Sequence, residues 1–142
     1  VGALLDTNVV LDALANREPW AKEAKDLLFL ASCGKLDLCL SGSTLTDIFY
    51  LANRYVYHDK RRSVQVVDIL MESLGVVDVG LEACLMGAHS PIADYEDAVL
   101  AEAARTAKVD CIVTRNERDF EGGPVPVMSP HAYLESVVKG YR

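Results

Sequence analysis

Short apolar runs alternate along this chain with longer segments of helical periodicity, and that alternation leaves few folds open. The runs are Gly2–Leu5, Leu36–Ser41 ("LDLCLS"), residues 76–80 ("VVDVG"), 110–116 ("DCIVTRN") and 125–129 ("VPVMS"). Residues 17–35 place Trp20, Ala24, Leu27, Leu28 and Ala31 at helical spacing. Residues 43–57 put Leu45, Ile48, Phe49, Ala52 and Val56 on one helical face, with Ser43 or Thr44 as N-cap. Residues 62–75 read as an amphipathic helix stopped by Gly75, 81–90 as a short helix, 94–108 as an alanine-rich helix, and 130–142 as a closing helix with Pro130 in its first turn. Strands separated by helices imply crossover connections, a parallel sheet and helices on both of its faces. The expected fold is therefore a three-layer α/β/α sandwich around a central parallel sheet of about five strands. It forms a single domain over residues 1–142, without repeat, linker or low-complexity segment.

The composition agrees, with 51% hydrophobic and 25% charged residues. No apolar run approaches the ~20 residues that span a bilayer, and no signal peptide is visible, so no membrane partner is expected. Cys33, Cys39, Cys84 and Cys111 form no C-x-x-C pair and sit among apolar neighbours. They read as buried, reduced thiols rather than a zinc site, which points to the cytoplasm. The formal net charge of −7 weighs against a nucleic-acid partner. A set of carboxylates gathered to hold metal ions would reconcile the two.

Such a set is what the strand ends offer. In a parallel sheet the C-terminal ends of the strands share one edge, where ligands bind. The first strand runs into Asp6-Thr7-Asn8. The second ends in Ser41-Gly42-Ser43, and Asp47 lies one turn into the next helix. The fourth ends in Thr114-Arg115-Asn116, with Asp119 three residues on. The helix before it opens with Asp94 and Asp97, an i,i+3 pair near its positive end. Crowded carboxylates repel one another and raise each other's pKa, so a cation belongs among them. Oxygen donors without nearby His or Cys favour Mg²⁺ or Mn²⁺, the ions of phosphodiester hydrolysis. His58, His89 and His131 lie in separate segments and make no ligand pattern.

Three segments, "LLDTNVVLD", "DYEDAVLAEAA" and "CIVTRNERDF", in this order and spacing, give a family resemblance that covers nearly the whole chain. The chain resembles the PIN domain, and most closely the VapC-like toxin ribonucleases of toxin–antitoxin pairs. By position, Asp6 matches the family's first acid and Asp97 its third. Asp47 stands where the second acid is commonly Glu, and Asn116 where Asp is frequent, so the fourth carboxylate is assigned to Asp119. The resemblance implies a metal-dependent endoribonuclease in which Asp6, Asp47, Asp97 and Asp119 are catalytic and hold Mg²⁺ or Mn²⁺. Asn116 would add an uncharged amide oxygen. Thr7, Asn8, Thr114 and Arg115 are expected to contact the RNA. A small antitoxin that inserts a basic side chain into the acidic site, and a homodimer, are implied as partners.

Other readings compete. Asp94 is the natural N-cap of its helix, which frees Asp97 to point elsewhere, though an outer contact to metal is open to it. Asp12 reads as a surface residue. Thr114 either orients an acid or phosphate or only satisfies backbone. The basic stretch "RYVYHDKRR", residues 54–62, is either a solvated helix end or a patch that tracks phosphates and stacks bases on Tyr55 and Tyr57, a role Arg115 and Arg118 would share. A receiver-type phosphoacceptor domain fits poorly, because no Lys follows the last strand until Lys139. A PIN-like domain that binds nucleic acid or protein without catalysis is the alternative to the enzyme.

Overall fold

The computed structural model describes residues 2–142; Val1, counted in the 1–142 domain, lies outside the described residues. The elements are β1 (Ala3–Leu5), α1 (Thr7–Leu14), α2 (Ala21–Ser32), β2 (Leu38–Ser41), α3 (Gly42–Leu51), a π-helical stretch (Ala52–Tyr57), α4 (Lys60–Ser73), β3 (Gly75–Val77), α5 (Leu81–Ala88), α6 (Tyr95–Ala107), β4 (Cys111–Val113), a 3₁₀ turn (Glu117–Phe120), β5 (Val127–Met128) and α7 (Pro130–Val137). The five strands form one parallel sheet in the order β3-β2-β1-β4-β5. The chain builds outward from β1 on one side and then returns to pair β4 with its other side. The strand order therefore reverses at β1, and a crevice opens where the β1 and β4 ends part.

β1 is buried on both faces, which its apolar run Ala3-Leu4-Leu5 permits. Ala3 and Leu5 face a core shared with Leu38, Leu40, Cys111 and Val113 of the neighbouring strands and with Val9, Leu27, Ile48, Leu70 and Leu134 of the helices. Leu4 and Ile112 face the opposite core, closed by Ala98, Ala101, Ala104 and Phe120. Helices α1–α4 and α7 thus cover one face and α6 the other, giving the expected three layers.

The departures from expectation are local. The segment after Asp6 is a helix, α1, that the periodicity did not mark. It is only eight residues long, too short for a helical period to stand out beside the strand that precedes it. The helix after β2 is capped by Ser41, whose Oγ accepts from the Thr44 amide at 3.1 Å, and not by Ser43 or Thr44. It starts earlier than residue 43, and residues 52–57 continue it in a wider π winding. Trp20 is not a core residue; it is 41% exposed. Cys111 is buried, but Cys33 is exposed and Cys39 and Cys84 are half-buried, all four as free thiols. Asp12, read as a surface residue, is 1% exposed.

Helices α5 and α6 meet at Gly87, where a Cβ would stand 2.9 Å from Val99 Cγ2 and 3.1 Å from the Val99 amide nitrogen. The Val99 backbone is part of that obstacle, so the helices could not relax without shifting. Elsewhere in a helix Ala outranks Gly by about 1 kcal/mol. Here the overlap reverses the sign, and Gly87→Ala is expected to destabilise by about 1–3 kcal/mol. Urea unfolding checks this; a midpoint equal to or above wild type would contradict so close a crossing.

Candidate active site

At the crevice between the ends of β1 and β4 lies a cavity of about 530 Å³. Its wall carries four acids that the sequence singled out, Asp6, Asp47, Asp97 and Asp119, together with Glu96, Thr7, Asn8, Thr44 and Asn116. Apolar walls come from Leu11, Leu51, Val99 and Leu100.

Asp6 sits where backbone and side chain both hold it. Its amide donates to the Val113 carbonyl at 2.9 Å, continuing the β1–β4 pairing one residue past the strand. Its Oδ1 caps α1 by accepting from the Thr7 amide at 2.8 Å. Its Oδ2 accepts from Thr114 Oγ1 at 2.9 Å and from Asn8 Nδ2 at 3.2 Å. Thr114 is fully buried and also accepts from the Asn116 amide at 3.0 Å. It therefore orients the acid rather than facing the cavity. Asn8 lines the cavity, and its Oδ1 is buried with no hydrogen-bond donor among the described residues. Thr7 donates to Thr44 Oγ1 at 3.2 Å, tying the starts of α1 and α3.

Asp97 is carried by the first turn of α6. Asp94 caps this helix, its Oδ1 accepting from the Asp97 amide at 3.0 Å, so the Asp97 carboxylate is free of capping. Asp119 lies in the 3₁₀ turn after β4 and Asp47 in the second turn of α3, both exposed.

These carboxylates disfavour each other's charge. Burial, and then the charges of Asp6, Asp94, Asp119 and Glu96, push the Asp97 carboxyl up to about 6. Burial also raises Asp6, helped by Asp119 and opposed by the hydrogen bonds from Thr114 and Thr7 and by Arg115. Asp47 shares the cavity but is not among the charges that raise either group. Among the described residues, no three His, Cys, Asp or Glu side chains stand as a ready-made metal cage.

The arginines are arranged otherwise than expected. Arg115 Nε donates to Asp12 Oδ2 at 2.7 Å, and its guanidinium lies 4.1 Å over the Trp20 ring. It does not line the cavity. Arg17 does, as the one cationic side chain of that wall among the described residues, and its Nη1 is 3.8 Å from Asp12 Oδ1. Sequence reasoning missed Arg17, Glu96 and the role of Asp12. A carboxylate inside "VVLDAL" was the available signal, since a buried charge needs a cation.

The sequence profile of the PIN domain matches residues 2–118. No curated protein sequence matches the chain. Solved structures do. A toxin–antitoxin complex from Klebsiella pneumoniae aligns with a TM-score of 0.68 at 22% identity over 90% of this chain and 97% of that one. A DNA-bound VapBC from Salmonella typhimurium gives 0.68 at 22%, covering 92% and 98%. A VapC toxin from Mycobacterium tuberculosis, described as cleaving the sarcin–ricin loop, gives 0.61 at 18%, covering 78% and 86%. At these identities the likeness concerns the fold.

The repulsion has a pH signature. Between the ordinary Asp value of 3.8 and about 6, folded Asp97 holds its proton more than the unfolded chain does. The native state binds more protons in that window, so stability from this group falls as pH rises through it. In chelator, wild type is expected to lose stability relative to Asp97→Asn between pH ~4 and ~7, and the variant to be the more stable above about 6. Urea unfolding of both proteins across pH checks this; parallel profiles would show no such repulsion.

Proposed function

The chain belongs to the PIN-domain family, and on that premise we propose that it is a divalent-metal-dependent endoribonuclease, the toxin of a toxin–antitoxin pair. One observation carries the reading: Asp6 and Asp97, over ninety residues apart in sequence, face one cavity at the sheet's switch point, where burial raises both carboxyls and the Asp6 charge raises Asp97 further. Acids crowded at such a cost mark a candidate functional site, and a cation is the partner that relieves them.

The donor set fits Mg²⁺ or Mn²⁺. It is all oxygen, and Mg²⁺ keeps much of its water and takes only one or two carboxylates plus substrate phosphate. Asp6 and Asp97 would hold the cation, Asp47 and Asp119 would add negative charge, and Asn116 an amide oxygen. The undonated Asn8 Oδ1 is a further acceptor at the same wall. Such an ion, when bound, polarises a phosphodiester and makes water a better nucleophile. The chain's own residues do the positioning. Thr114 and the α1 amide fix the Asp6 carboxylate, Asp94 fixes the start of α6, and Arg17 offers the cavity a cation for a substrate phosphate. RNA is the substrate of this reading, and Thr7 and Asn8 are its proposed contacts on the wall.

A small antitoxin is the proposed protein partner, reaching Asp6 and Asp97 with an Arg or Lys, and a homodimer the proposed assembly. The four free thiols suit a reducing cytoplasm, and no helix among the described residues is long and apolar enough to cross a membrane. The open cage, with an exposed Asp47 and an uncharged Asn116, also suits a domain that binds without catalysis.

Metal separates the two. Mn²⁺ or Mg²⁺ at a hundredfold excess over its Kd is expected to stabilise the fold by about 2.7 kcal/mol, read as a rise in Tm, and Asp6→Asn should abolish the rise. A full metal-dependent shift in Asp6→Asn would remove that residue from the ligand set. Asp97→Asn should lower cleavage of a single-stranded RNA pool by about a hundredfold or more while circular dichroism stays that of wild type. Undiminished cleavage by the folded variant would overturn the catalytic assignment.

A further inference from the structure

Ser43, Thr44, Asp47 and Leu51 line the cavity from one stripe of α3, at steps of three and four residues. Arg54 and Tyr55 follow it, in the π-helical stretch that continues α3. Eight residues separate Asp47 from Tyr55, roughly 12 Å along a helix axis. The helix thus leads from the acids to the most cationic part of the chain. Residues 54–62 hold Arg54, Lys60, Arg61 and Arg62 against Asp59 alone, in a protein whose net charge is −7.

The side chains at that end are preorganised. Arg54 Nε donates to the Tyr55 hydroxyl at 3.2 Å, and its guanidinium lies 5.5 Å over the same ring. Arg62 lies 5.1 Å over Tyr57. Tyr55 is nonetheless 62% exposed. An exposed aromatic ring held by a guanidinium offers one π-face for a base and a charge for the adjoining phosphate, at little cost in side-chain entropy. Asp59 caps α4 by accepting from the Arg61 amide at 2.9 Å, and its single charge leaves the four cations a net excess of three.

We propose that the α3 stripe and the Arg54–Tyr55 and Arg62–Tyr57 pairs form an RNA track, a subsite that holds the single strand beyond the nucleotides seated in the acidic cavity. The proposal rests on the ribonuclease reading above and extends it to where the rest of the substrate lies. Single-stranded RNA is favoured over a duplex because stacking on Tyr55 and Tyr57 needs unpaired bases. It is favoured over an acidic protein segment because the pairs couple each cation to an aromatic face rather than presenting it bare.

The test uses the full chain with Mg²⁺, and compares oligouridine of trinucleotide length with a longer one. For the double variant Arg54→Ala/Tyr55→Ala, KM for the longer RNA is expected to rise roughly tenfold or more, with kcat kept, and KM for the trinucleotide to rise far less. On the Asp97→Asn background, fluorescence anisotropy should show the same loss of affinity for the longer strand. The slope of log K against log salt should shrink by about 0.7 for each phosphate that the variant no longer neutralises. Tyr55→Phe, which keeps the ring, should retain most of the affinity. Circular dichroism on each variant controls for folding. If wild type cleaves long RNA and the double variant matches it in KM at both lengths, the track is wrong and the nuclease reading stands. Failure of wild type to bind or cleave any RNA would overturn both. A variant that keeps wild-type RNA affinity but changes oligomeric state by size-exclusion chromatography would assign the patch to a protein interface and overturn the track.

Discussion

The hydrogen bond from Thr114 to Asp6 joins the ends of the two central strands, and the cavity is organised around it. Asp6 uses both carboxylate oxygens, one for the α1 cap and one for Thr114 and Asn8. Its direction is thereby set by β1, β4 and α1 together, three elements whose relative positions the sheet and core already determine. Burial works against its charge, and the hydrogen bonds work for it. The outcome is an acid held in one orientation whose charge burial disfavours. Asp97 reaches the same cavity from the opposite layer, carried on α6, and α6 is pressed against α5 at Gly87. Two layers therefore deliver one carboxylate each to the seam between β1 and β4.

The fold was legible because its strands are short, apolar and separated by helices, and because a parallel sheet needs those crossovers. The positions of Asp6 and Asp97 were legible for a related reason: strand ends and helix starts are where a chain in this topology faces its crevice. What escaped reading was nearly always a pairing between residues distant in sequence. Helix α1 is only eight residues long, shorter than the span over which a helical period shows. Asp12 looked external because its partner Arg115 lies 103 residues away. Arg115 in turn looked available because its own neighbours in sequence gave no hint that a buried carboxylate and the Trp20 ring would engage it. Boundaries moved for local reasons. Ser41 caps α3 while still belonging to β2, and the π winding after Leu51 has no pattern of apolar residues that sets it apart from α-helix.

The Asp12–Arg115 pair also bears on the electrostatics of the site. Asp12 is buried, and an unpaired carboxylate there would be costly, so Arg115 is bound to stay. Its charge still reaches Asp6 and lowers that carboxyl's pKa. With Arg115 committed, Arg17 is held only loosely, 3.8 Å from the already paired Asp12, and remains 42% exposed at the cavity wall. One arginine is thus a structural counter-ion and the other a cation on offer, a division that follows from which of them Asp12 grips more closely.

Under the proposed activity, the separation of charge reconciles an acidic chain with a polyanionic substrate. Net charge sums the whole surface, whereas a phosphate responds to the charges within about one Debye length, ~8 Å at physiological salt. Inside the cavity the field is negative and suits a divalent ion. Arg17 stands at its wall, and Arg54, Lys60, Arg61 and Arg62 lie beyond the far end of α3. Under the proposed activity the acids never meet the RNA backbone without an intervening cation, while the flanking nucleotides meet arginines paired with tyrosine rings. An acidic pocket of this kind with no cation beyond it would hold its metal and repel its substrate. The same pocket placed at the start of a helix whose far end is basic can do both, and α3 is the element that spans the two.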